Sequence, residues 1–261
     1  MNQIVTKPTT EVAGISAGRF ASLATAAKEA AATERPSLSK ISLKSGVISI
    51  GGQAVKDNRF DSVVLASTYS NTFYAGRYDA NNIVNPDCFS LAATDAAMVP
   101  DAAVTKPVAA KCEGCPNAEW GSDLNGGRGK ACKQTRRLVL LPASALADPK
   151  EVQTAELAIM DIPVTSVKNY SQYINVLAAS IGLPAYAVVT EISAKPDPKT
   201  QFKVEFKGIG PVASDALLDA IEARQPEALR IGLIGYEASH DSEAEEPLPA
   251  GAPAKKAAKK F

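Results

Sequence analysis

The spacing of apolar positions along the chain changes several times, and each change marks an element. Ile41, Leu43, Val47, Ile48 and Ile50 form an apolar stretch broken at Ser45-Gly46. Val63 to Leu65 predicts a short buried strand, Tyr69 to Asn71 a turn, and Phe73 to Tyr78 a partner strand, together a β-meander. Arg137-Leu-Val-Leu-Leu141 predicts a strand ending at Pro142, and Leu157 to Ile162 another ending at Pro163. Val167, Tyr170, Ile174, Leu177 and Ile181 then step by three and four. That is one face of a helix, with Thr165 or Ser166 as N-cap and Gly182 as its stop. Tyr186 to Ile192 is a β-branched run. Phe202, Val204 and Phe206 alternate with charged residues as a half-buried strand would. Lys195-Pro-Asp-Pro-Lys199 joins these two as a hairpin, and Ser214 caps a short helix carrying Leu217, Leu218 and Ile221.

These elements divide the chain into three parts. Residues 1–40 are an N-terminal arm, with an Ala-rich stretch from Ala21 to Ala32 that suits a short helix. Residues 41–236 form one domain. Residues 237–261 carry an acidic block, a Pro/Ala/Gly spacer and four lysines before Phe261, a composition expected to be disordered. Between Cys88 and Cys132 there is little periodicity, which points to an insertion at 86–135 ordered by something other than secondary structure.

The 261 residues are enough for a substantial core, with 46% hydrophobic and 21% charged. Lys+Arg and Asp+Glu both number 28, so any polyanion would have to be met by a local patch. A single His, His240 in the acidic tail, argues against triad catalysis and His-ligated metal chemistry, and the protein is expected not to be an enzyme. No apolar run approaches the ~20 residues of a membrane span, and no signal-type segment opens the chain, so a cytoplasmic protein is expected.

In such a compartment the four cysteines suit a metal better than disulfides. Cys112-Glu-Gly-Cys115 is a C-x-x-C pair, Cys132 closes a glycine-rich run, and Cys88 lies in the preceding loop. Cys88, Cys112, Cys115 and Cys132 can thus form a closed structural zinc site, one ion per chain, with no open position for catalysis. Two buried thiols beside a redox C-x-x-C is the alternative, although a thioredoxin-like context is missing. Residue type alone also admits an iron–sulfur cluster, but neither ferredoxin spacing is present.

Arg128, Lys130, Lys133, Arg136 and Arg137 fall within ten residues free of acids. Such a run is either a solvated face or a phosphate-backbone contact. The glycines at 126, 127 and 129 and the adjacent metal ligand favour the latter. Ala131 after Lys130 rules out a Walker A loop. Tyr74 and Tyr78 share one strand face and suit either core packing or base stacking. Trp120 either covers the metal site or stacks on a base.

Cys112-Glu-Gly-Cys-Pro-Asn-Ala-Glu-Trp-Gly-Ser122, with Gly129-Lys-Ala-Cys-Lys133, Arg136-Arg-Leu138, Asn85-Pro-Asp-Cys-Phe-Ser90 and Val188-Val-Thr-Glu-Ile192, resembles bacteriophage-encoded proteins of replication and recombination modules. The resemblance spans roughly residues 45 to 208. It implies a zinc-containing, non-catalytic single-stranded DNA-binding protein in the host cytoplasm. The implied fold is mainly β with α: an OB-like barrel bearing the zinc insertion, with one or two packed helices. Replication or recombination proteins would be partners through the tail, though the four lysines depart from the usual acidic end. A phage structural protein, or a transcription-regulatory zinc protein binding the host polymerase, is the second reading. A nuclease is disfavoured by the lack of clustered acids outside the tail.

Overall fold

The computed structural model describes residues 39–76 and 84–236, together with Gly18, Arg19, Ser22, Leu23 and Ala26, all helical. The last three fall within the helix expected over 21–32. The remaining positions of the arm, Tyr78, and the tail over 237–261 lie outside the described residues.

Among the described residues nine strands form one sheet: β1 (Ser39–Ser42), β2 (Ser49–Ile50), β3 (Gln53–Ala54), β4 (Arg59–Phe73), β5 (Cys88–Ala92), β6 (Lys133–Pro142), β7 (Ala158–Ile162), β8 (Val188–Asp197) and β9 (Gln201–Pro211). Their spatial order is β3-β2-β1-β7-β6-β4-β8-β9, with β5 added on β4. Every pairing is antiparallel except β1 with β7. The sheet curls into an open half-barrel that ends at β3 and β9. The expected OB-like barrel is therefore overturned: these two end strands do not pair with each other, and the fold is a mixed α+β one.

Strand β4 organises the sheet. It pairs with β6 along most of its length; on its other side it pairs with β8 through Val63 and with β5 from Tyr69 onward. The turn expected at Tyr69 to Asn71 is instead strand. Ser70 and Asn71 are buried there between ladders on both sides, and Thr68, buried beside them, donates its hydroxyl to the Gly232 carbonyl at 3.0 Å.

Both faces of the sheet are covered, by α1 (Pro149–Thr154) and α3 (Asp215–Gly232) on one side and α2 (Val164–Val176) on the other. Leu138 and Leu140 of β6 point to one core with Tyr170 and Tyr173 of α2. Val139 and Leu141 point to the other, with Val152 of α1 and Ile221 of α3. This explains the unbroken apolar run in β6, since a strand buried on both faces needs no polar alternation. Full burial of each such side chain contributes about 1.5–3 kcal/mol.

Helix ends follow local chemistry. Ser214 caps α3, accepting the Leu217 N–H, and the helix runs well beyond the short segment expected from the sequence. Pro163, not Thr165 or Ser166, precedes α2; Ser166 is buried and donates no cap. Its hydroxyl accepts the Val204 N–H at 2.8 Å, while the Asn169 amide donates to the Val204 carbonyl at 3.0 Å. Both groups belong to the free edge of β9, so α2 occupies the middle of that edge. A wider turn over Leu177–Ile181 carries the chain from α2 to Gly182, whose φ of 70° ends it as expected.

Candidate functional site

The segment 93–132 leaves β5 and returns at β6 with only two single-turn helical pieces, Asp95–Ala97 and Pro116–Ala118. Side chains and backbone groups of its own hold it in place. The Cys112 N–H donates to the Met98 carbonyl at 3.3 Å, and the Cys132 N–H to the Asn117 carbonyl at 2.7 Å. The Ser122 hydroxyl lies 2.7 Å from the Glu119 carbonyl and accepts the Ala131 N–H at 3.0 Å. Asp123 accepts the Asn125 N–H and an ion pair from Lys133 at 3.4 Å, and these contacts hold its carboxyl below the usual range. Ser122 and Asp123 organise the loop, a role that residue composition does not reveal. The signal available was Asp123-Leu-Asn-Gly126, an Asx-type turn signature.

All four cysteines are free, half-buried and line one small cleft, partly open to solvent, beside Phe73, Phe89 and Asn117. Burial, and then the charges of the other three cysteines, push the Cys132 thiol up to about 12. Burial also raises Cys88. The sequence thus brings the cysteines together, but it does not make a metal centre of them. Among the described residues no group of three or more His, Cys, Asp or Glu is placed to hold a metal ion. Cys88 stands opposite Phe73 on one side of β4, and Lys133, next to Cys132, opposite Thr72 on the other. The zinc expectation at Cys88, Cys112, Cys115 and Cys132 is corrected accordingly.

The basic run is dispersed by its partners. Arg137 is buried: its Nε donates to Asp161 at 2.9 Å, and its Nη1 to the Ile234 carbonyl just past α3 at 2.6 Å. The Arg136 guanidinium lies over the Tyr69 ring, 3.2 Å from its centroid. Lys133 is tied to Asp123 and to the Lys130 carbonyl. Lys130 donates to Gln134 and stands 5.4 Å from the centroid of Trp120. Arg128 is exposed. Tyr74, just after β4, is 41% exposed, and its hydroxyl is pushed up by burial and then by Asp161 and Asp87. Trp120 covers no cleft: it is 78% exposed.

The reading as a zinc-containing single-stranded DNA-binding phage protein of replication or recombination is therefore not supported, and neither is the polymerase-binding zinc alternative: the sheet is open and the described residues offer no metal-holding group. Among the described residues no helix is long and apolar enough to cross a membrane. No protein-family model, curated protein or solved structure matches this chain.

Proposed function

We propose that this chain is a non-catalytic interaction protein, cytoplasmic, that uses the 93–132 loop as a preorganised recognition surface for a protein partner. The observation that carries this reading is Trp120. The single Trp of the chain stands 78% exposed on a loop fixed by its own hydrogen bonds. Tryptophan is ordinarily well buried, and at interfaces it is the commonest anchor. Val99, Val108 and Leu124 of the same loop are also exposed, so the surface has apolar content beyond one ring. Glu113 and Glu119 are exposed in the loop alongside Arg128. That mixture of signs suits a protein surface, with an apolar pocket for the indole and carboxylates for Arg128 and Lys130, better than a polyanion. The non-catalytic reading rests on the single His, and the cytoplasmic one on the absence of any disulfide among the four cysteines.

The test places a photo-reactive phenylalanine analogue at Leu124 of the full chain in the cells that express it. One discrete protein adduct is expected, lost with Trp120→Ala and kept with Ile209→Ala on β9. An adduct removed by nuclease, or one equally strong with Trp120→Ala, would overturn the reading.

A further inference from the structure

We propose that Cys112 and Cys115 are a reversible redox pair that closes to a disulfide under a peroxide oxidant, while Cys88 and Cys132 remain thiols. The Cys115 N–H donates to the Cys112 carbonyl at 3.3 Å, closing a four-residue turn around Glu113 and Gly114. Gly114 has φ +70°, a conformation that L side chains rarely adopt, so the turn is specified by the glycine. A turn of this kind holds its end Cα atoms within about 7 Å, and a disulfide spans about 4.4–6.8 Å. The turn therefore brings the pair within reach of a disulfide. Cys88 and the start of β6 beside Cys132 lie on opposite sides of β4, so no such turn joins Cys88 to Cys132. Cys112 and Cys115 are half-buried in a cleft open to solvent, where a small peroxide can enter.

The chemistry balances. One thiolate of the pair attacks hydrogen peroxide; the O–O bond breaks, a sulfenic acid forms and water leaves after proton transfer. The second sulfur attacks the sulfenic sulfur. The S–O bond breaks, the S–S bond forms and a second water leaves. Two thiols have lost two electrons and two protons, and peroxide has become two waters. A dithiol reductant reverses the step by exchange. Cys115 also precedes the Pro116–Ala118 turn, whose Asn117 carbonyl receives the Cys132 N–H, so closure acts on the short segment leading to Trp120. The redox pair is independent of what Trp120 binds.

The full-length protein is treated with hydrogen peroxide, alkylated and digested with trypsin. Cleavage after Lys111, Arg128, Lys130 and Lys133 leaves Cys112 and Cys115 on one peptide and Cys132 on another; Cys88 falls on a third, because Lys106 precedes Pro107. The expected product is the 112–128 peptide lighter by two hydrogens, restored by dithiothreitol, with Cys88 and Cys132 alkylated. Cys132→Ser keeps that product and Cys112→Ser abolishes it. Peptide 112–128 cross-linked to either of the others, or still fully alkylated after peroxide, overturns the proposal. The wild-type map alone decides this if a variant fails to fold.

Discussion

Arg137 holds Asp161 with one edge of its guanidinium and the Ile234 carbonyl with the other, so removing it leaves the carbonyl unpaired and the carboxylate with Lys40 alone. Its side chain is 7% exposed and that of Asp161 29%, which places the pair below a fully buried one in cost. Arg137→Ala is expected to lower unfolding free energy by about 2–3 kcal/mol. Arg136→Ala, losing a cation–π contact, should cost about 0.5–1 kcal/mol. Urea midpoints of the two variants check the ranking, and equal values would refute it. Cys132 gives a second expectation. Burial and the neighbouring cysteines favour its neutral form in the folded chain, where it ionises near 12 rather than 9.0. Between those values the unfolded chain has released a proton that the folded chain retains. Stability is therefore full below 9.0 and falls as pH rises toward 12. Buried tyrosines add a fall of the same sign, so the measurement is the difference between wild type and Cys132→Ser: the variant should show the shallower decline in thermal midpoint.

Helix α2 does two jobs, packing Tyr170 and Tyr173 into the core and closing the edge of β9 at Val204. The double variant Ser166→Ala, Asn169→Ala should leave the core packing in place but free a buried N–H and its carbonyl, costing about 2–3 kcal/mol in all. Hydrogen exchange at the Val204 amide should rise in this variant before that of Ile192 in β8. The sequence displayed α2 by its three-and-four spacing, β6 by its apolar run and α3 by Ser214. It could not display the middle of β4. Tyr69-Ser-Asn71 has the composition of a turn, and only the flanking ladders from β5 and β6 make it strand. The convergence of the cysteines was readable from C-x-x-C and the long aperiodic loop. Their placement across β4, with Cys88 on one side and the start of β6 on the other, was not, because pairing between strands remote in sequence sets it. Arg137 looked like a surface cation because its partners, Asp161 and Ile234, are remote in sequence.

At the scale of the molecule, barrel closure or its absence is decided by which strands meet at the ends, and no local pattern encodes that. What the sequence does fix is a layered body: alternate residues of β6 feed two cores, one under α2 and one under α1 and α3. The parallel ladder of β1 on β7 has a further consequence, in time. Ser39 pairs with Ala158, so β1 finds its parallel neighbour only about 120 residues later in synthesis. At ~5–20 residues per second that is a wait of roughly 6–24 s. Through that interval Ile41 and Ile48, fully enclosed in the finished protein, have no core to enter. Until β7 has been made, the β1–β2 ribbon has only its own antiparallel pairing to hold it.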